Sequence, residues 1–202
     1  AYRSQLQQFV YHSGMFMKPI FAAARKAVSG GGRGRIVFCE GEDERVLRAV
    51  QVVLDEGIAR PILVARPAVL ERRLERFGLR MKAGVDFEVV NPEFDQRYRD
   101  YWSTYLEMTE RRGVTAQYAK IEMRRRLTLI GAMMIHKNDA DGMICGTFGG
   151  FEQHLQYIDQ VIGRRHGAGV YAAMNILMLP GRQVALVDTH VDVDPTAAEI
   201  AE

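Results

Sequence analysis

Three short stretches of this 202-residue chain carry residue types that could do chemistry. The first is Cys39-Glu40-Gly41-Glu42-Asp43-Glu44-Arg45, a carboxylate-rich turn between an apolar run and an amphipathic one. Turns at the ends of parallel strands are usual places for ligands. Its carboxylates would repel an anion, so it is a poor phosphate cradle, and capping of the next helix with compensation of its dipole is the plainer reading. The second stretch is Gly146-Thr147-Phe148-Gly149-Gly150. Glycines between a strand and a helix bare backbone N–H groups, and a helix N-terminus attracts anions. It matches neither the dinucleotide fingerprint nor the phosphate-binding loop, which needs Lys followed by Ser or Thr. A tight turn at Phe151 accounts for it as simply. The third is Asp188-Thr189-His190-Val191-Asp192, with Asp194 beyond. Residues two apart on a strand face one side, so Asp188 and His190 could act as an acid–base pair. The facing stretch offers only Asn175, which is no nucleophile, and a strand end at the surface is the plainer reading.

The elements that must position these residues follow from the hydrophobic pattern. Residues 1–28 read as helical, with a break near Gly14 and Pro19. Ile36 to Cys39 is a buried strand, and Val46, Leu47, Val50, Val53 and Leu54 then share one helix face. Pro61 to Ala65 is a strand, Val69 to Phe77 a helix stopped by Gly78, and Phe87 to Val90 a strand ended by Asn91-Pro92. Phe94 to Lys137 is mostly helix, broken at Gly113. Asp141 to Cys145 is a strand leading through the glycine turn into a helix from Phe151 to Ile162. Alternating strands and helices imply a parallel sheet with helices on its faces. After Gly163 the pattern becomes a β-hairpin, Val170–Leu179 and Val184–Val191 around Pro180-Gly181. Asp194 caps a further helix with Pro195 in its first position. A hairpin and one short helix bury too little to stand alone, so a second domain is expected to be cut short here or covered by a partner chain. Met133, Met134, Met174 and Met178 read as core filling.

Composition narrows the class. Nearly half the residues are apolar (48%), enough for a sizeable core. The 27 basic and 25 acidic residues nearly balance, so nothing global suggests nucleic acid, and Arg124-Arg125-Arg126 reads as a solvated helix face. Two cysteines, Cys39 and Cys145, make no disulfide framework and fit a reduced, cytoplasmic setting. His12, His136, His154, His166 and His190 are scattered without ligand spacing, so no metal site and no catalytic residue is assigned. No apolar stretch approaches the ~20 residues of a membrane span, and residues 1–10 lack a signal-peptide pattern. The absence of an initial Met suggests a piece of something longer.

Three segments in order resemble the phosphate acetyltransferase/butyryltransferase family. Ile36–Leu47 is similar to its opening strand and helix. Gly131-Ala132-Met133-Met134 with Asp139–Gly146 resembles its central strand. Asp188–Ala197 looks like its Asp-Pro-Thr-Ala helix start. The resemblance runs from about residue 18 to the end and implies a three-layer αβα domain with a parallel sheet over residues 18–162. The start of a second α/β domain then covers 163–202, and 1–17 is a helical linker. Three departures separate the chain from acting transferases of that family, the first being Gly149-Gly150-Phe151 in the turn where the family carries a His-Ser/Thr segment. Gln156 stands where the family has an arginine, and Thr109 fills another arginine's place before Arg112-Gly113. Dianionic acyl phosphates need such cations.

The finer details resemble the C-terminal domain of long bacterial NADP-dependent malic enzymes. They are Phe9-Val10-Tyr11-His12-Ser13-Gly14, Met17-Lys18-Pro19-Ile20-Phe21, Thr128–Ala132 and Cys145–Gly149. That resemblance implies a non-catalytic regulatory and oligomerisation domain binding acetyl-CoA as an inhibitor. NADP and Mg or Mn would belong to the parent's catalytic part, which is the domain's partner along with further copies of itself. It also implies a ligand cleft between two domains, walled by Gly146, Thr147, Gly149, Gly150, Asp188, His190 and Asp192. The alternatives are a working phosphate acetyltransferase and a purely structural dimerisation module.

Overall fold

The structure, a computed structural model, describes residues 2–31, 34–179, 182–187, 191 and 194–201. The chain separates into two compact units, Ala24–Gly163 and Ala1–Ala23 with Arg164–Glu202.

The larger unit is built on four parallel strands, β1 (Arg35–Phe38), β2 (Arg60–Val64), β3 (Glu88–Val90) and β4 (Gly142–Ile144), in the order β3-β2-β1-β4. Alternate strand residues face opposite sides of a sheet, and both sides are apolar. Val37, Ile62, Val64 and Val90 pack with one set of helices: α4 (Tyr98–Thr109), α5 (Ala116–Arg125), α6 (Leu127–His136) and α7 (Phe151–Val161). Phe38, Leu63 and Ala65 pack with α2 (Glu44–Glu56) and α3 (Pro67–Arg76) on the other. The αβα layering expected from the sequence is therefore present. Leu47 and Leu70 are fully buried, each worth about 1.5–3 kcal/mol of burial. Met133 and Met134 also lie wholly in the core, as expected.

Local chemistry fixes the ends. Asp43 caps α2, accepting from the Arg45 backbone N–H, and Gly57 closes the helix in the left-handed conformation. At the strands' opposite end, Asp141 accepts from the backbone N–H groups of Gly34 and Arg35 and pairs with the Arg35 guanidinium at 2.9 Å. The segment expected to break only at Gly113 also breaks at Arg126, whose extended backbone separates α5 from α6.

In the smaller unit, β5 (Met174–Leu179) and β6 (Arg182–Val187) form an antiparallel hairpin in register Met174↔Val187 to Leu179↔Arg182. Met174 is 60% exposed, so it does not fill a core as Met133 does. The last helix, α8 (Ala197–Ala201), is capped by Thr196 and not by Asp194. The Glu199 carboxylate accepts from the Thr196 N–H at 2.7 Å, and the Thr196 hydroxyl accepts from the Glu199 N–H at 3.4 Å. That reciprocal pair satisfies two helix-start groups at once, which Asp194 does not. The first helix, α1 (Tyr2–Ser29), runs through Gly14 and Pro19 without the expected break. Regular turns on both sides carry it past the one hydrogen bond Pro19 cannot make.

Candidate ligand site at the strand ends

Strand order places a crossover point at β1. The chain runs from β1 to β2 and β3 on one side and returns to β4 on the other. In open parallel sheets such a reversal leaves a crevice beyond the strands' C-terminal ends. Here the first and second sequence candidates meet. The turn after β1 supplies Glu40, which is 4% exposed, and its carboxylate accepts from the Gly146 N–H at 2.9 Å. Arg45 bridges the same two turns, holding Asp43 on one side and donating to the Thr147 carbonyl at 3.0 Å on the other.

The carboxylates of the first turn are consumed by structure. Glu42 makes a bidentate pair with Arg66 and also accepts from the Arg66 N–H. Arg66 holds its carboxyl below the usual range, with burial opposing. Hydrogen bonds from Arg45 pull the Asp43 carboxyl down to about 2. Capping is thus the correct reading of this stretch. Beside it lies a cavity of about 380 Å³ that also takes in Arg73, Arg124 and Arg125, so part of the basic run faces this hollow.

The glycine turn is shaped by a residue that sequence reasoning set aside. Gly146 and Gly149 have φ of 100° and 97°, where side chains are strained. The α7 residue His154 packs against this turn, 3.1 Å from where a Gly149 Cβ would stand. Its Nε2 lies 2.9 Å from the Phe148 carbonyl, which can only accept, so Nε2 carries a proton. Its Nδ1 lies 2.6 Å from the Thr128 hydroxyl of α6. The Thr147 hydroxyl is buried without a hydrogen-bond partner among the described residues. Of the sequence-predicted site residues, Gly146, Thr147, Gly149 and Gly150 lie together in this turn. Asp188, His190 and Asp192 lie outside the described residues.

A second hollow, about 510 Å³, lies between α4, α5 and α7. It brings together Thr109, Gln156 and Arg112, residues 47 positions apart in sequence at the extremes. The Thr109 hydroxyl donates to the Tyr105 carbonyl at 2.6 Å. At the wall, buried Glu122 accepts from the Tyr157 hydroxyl and from Arg126 at 3.0 Å. Burial and that carboxylate push the Tyr157 phenol up. Among the described residues no group of three or more His, Cys, Asp or Glu side chains could hold a metal ion, and no helix is long and apolar enough to cross a membrane.

The family model described as phosphate acetyl/butaryl transferase matches residues 15–202. The chain belongs to that family. Within the phosphate acetyl/butaryl transferase family its similarities divide unevenly. It is 46% identical over its whole length to the NAD-dependent malic enzyme of Rhizobium meliloti, and 45% to the NADP-dependent malic enzyme of Salmonella typhimurium. The chain spans 26% of the length of each of these relatives. To the phosphate acetyltransferase of Nitratidesulfovibrio vulgaris it is 30% identical over 84% of the chain, which covers 24% of that protein. In structure it resembles a phosphotransacetylase from Streptococcus pyogenes, with a TM-score of 0.76 at 26% identity over 92% of this chain and 56% of the other.

Proposed function

We propose that this chain is the non-catalytic regulatory and oligomerisation domain of an NADP-dependent malic enzyme, binding acetyl-CoA as an allosteric inhibitor. The observation that carries the reading is the hollow containing Thr109 and Gln156. The family resemblance puts arginines at both places, and here both side chains are uncharged. Without those two guanidinium groups a dianionic acyl phosphate loses two charge-assisted partners, leaving Arg112 and Arg126 as the cations of the hollow. Group transfer is thereby disfavoured, while the hollow's ~510 Å³ still lies within the range of small-molecule sites. Identity along the whole chain is also higher with malic enzymes than with the phosphate acetyltransferase above.

The parent reaction is oxidative decarboxylation of malate to pyruvate, with NADP and a divalent metal held outside this chain. The domain's partners are its own catalytic part and further copies of itself, in the cytoplasm. An effector inhibits only by binding one conformation better than another, and couplings of ~1–3 kcal/mol are typical. The test uses the complete protein. Malate oxidation should fall on adding acetyl-CoA, and transfer from acetyl phosphate to CoA should not exceed a no-enzyme blank. Gly149→Asp should weaken the inhibition, because the turn is strained by any side chain there and His154 blocks its Cβ. Unchanged inhibition would remove the turn from the effector site. Robust transfer would make the chain a working acetyltransferase instead.

A further inference from the structure

Cys39 and Cys145 are both free and end the paired strands β1 and β4. The register runs Ile36↔Gly142, Val37↔Met143, Phe38↔Ile144, so the next pair is Cys39 with Cys145, and the Cys39 N–H donates to the Ile144 carbonyl at 3.0 Å. Register partners on parallel strands point to the same face, and here that face carries α6. A Cβ added to Gly131 of α6 would meet the Cys39 sulfur, Met143 and Val37, the alternate residues of both strands. Neighbouring strands lie about 4.8 Å apart, inside the ~4.4–6.8 Å that disulfide Cα pairs span.

We infer that Cys39 and Cys145 form a peroxide-sensitive dithiol, with Cys145 as the attacking sulfur and Cys39 as the one that resolves it into a disulfide. The division of labour follows from burial and partners. Cys39 is wholly buried, whereas Cys145 is partly accessible at the strand end. Each sulfur acts on the other's thiol, and the Thr128 hydroxyl acts on that of Cys145. Thr128 in turn contacts His154 Nδ1 at 2.6 Å, so the Cys145 proton has a path through one hydroxyl to an imidazole. These partners favour charge on Cys145, whose thiol is drawn down to about 7, first by the Cys39 hydrogen bond and against its own burial. The Glu40 carboxylate opposes them from the turn after β1. The Cys39 bond to Cys145 and burial both push its thiol up, so Cys39 keeps its proton and donates it.

The chemistry balances with a hydroperoxide as oxidant. The Cys145 thiolate attacks the distal peroxide oxygen. An S–O bond forms, the O–O bond breaks, and the departing oxygen leaves as water or an alcohol after taking up the thiol's proton. The Cys39 sulfur then attacks the sulfenic sulfur. The S–S bond forms, the S–O bond breaks, and hydroxide leaves as water with the Cys39 proton. Two electrons pass from the two thiols to one peroxide. The product ties the ends of β1 and β4 beneath the Gly146–Gly150 turn.

The test is peptide mapping of the complete protein after exposure to hydrogen peroxide, so cysteines elsewhere do not interfere. Tryptic peptides 36–45 and 138–164 each contain one of the two cysteines. They should appear joined, about 2 Da below the summed reduced peptides, and separate again on adding a dithiol. Cys39→Ser should abolish the link and accumulate a dimedone adduct on Cys145, while Thr128→Val should slow formation of the link. Two unlinked reduced peptides in the wild-type protein would overturn the inference. So would Cys145 passing to sulfinic acid without a link. The wild-type result does not depend on whether either variant folds.

Discussion

Gly131 is the place where the packing of α6 on the sheet can be tested most severely. A methyl group there would stand 2.6 Å from the Cys39 sulfur, 3.3 Å from Met143 Cε and 3.6 Å from Val37 Cγ1. Ordinary heavy-atom contacts are about 3.5–4.0 Å, so the sulfur contact is about 1 Å too close. Cys39 is fully buried and cannot swing its sulfur into solvent. Overpacking costs about 1–3 kcal/mol, and a contact this close to a buried sulfur belongs at the upper end, about 2–3 kcal/mol. Against it stands the gain of about 1 kcal/mol when Ala replaces Gly inside a helix. With a rigid strand behind the sulfur the clash wins, and Gly131→Ala should lose about 1–2 kcal/mol net. For a domain of this size that lowers the unfolding midpoint by about 3–6 °C. The companion variant supplies the internal control. Cys39→Ala alone removes a buried sulfur and costs about 1 kcal/mol. Combined with Gly131→Ala it makes room for the new methyl, so the pair should be less damaging than the sum of the two by the whole clash, about 2–3 kcal/mol. Urea denaturation of the wild-type protein and the three variants reads all four stabilities. Gly131→Ala as stable as wild type, or simple additivity in the double variant, would refute the close approach.

Three further outcomes follow from the charges. The Asp43 carboxyl titrates lower when folded than when unfolded, so its pairing with Arg45 stabilises above about pH 4 and is lost as pH falls toward about 2. Asp43→Asn should flatten the acid limb of the stability–pH curve in that window, and an unchanged limb would count against the pairing. Alkylation of Cys145 by iodoacetamide should rise with a midpoint near pH 7, because Cys39, Thr128 and His154 favour the thiolate more than Glu40 and burial oppose it. A midpoint at the ordinary thiol value of about 8.5 would sink that account. Arg126→Ala leaves the buried Glu122 with Tyr157 but without its cation, and should cost about 1–3 kcal/mol by urea denaturation; no loss would mean that Tyr157 alone satisfies the carboxylate.

The parallel sheet was legible because its signals are local. Val37-Phe38-Cys39 and Ile62-Leu63-Val64 are unbroken apolar runs, and Gly57, Gly78 and Asn91-Pro92 punctuate what lies between. The glycine turn was legible as a turn for the same reason. His154 was not, because its meaning depends on Thr128 and Phe148 arriving from α6 and from the turn, and one histidine on a helix carries no such information. The joining of Thr109 with Gln156 in one hollow likewise depends on how α4 packs against α7. The Cys39–Cys145 pairing needed the strand register, since a cysteine after each of two strands pairs only if those strands are neighbours in phase. The cap of the last helix had a readable signal: Thr196-Ala197-Ala198-Glu199 has the spacing of a capping box, and Asp194-Pro195 just before it is a competing helix-start pattern.

The central claim is that this domain binds an acyl-CoA without transferring its acyl group. Calorimetric titration of acetyl-CoA into the complete protein, with the products checked for acetyl phosphate in the presence of phosphate, tests it most directly. Saturable binding heat with acetyl-CoA recovered intact is the predicted result. An absence of binding heat, or conversion of acetyl-CoA to acetyl phosphate, would contradict it.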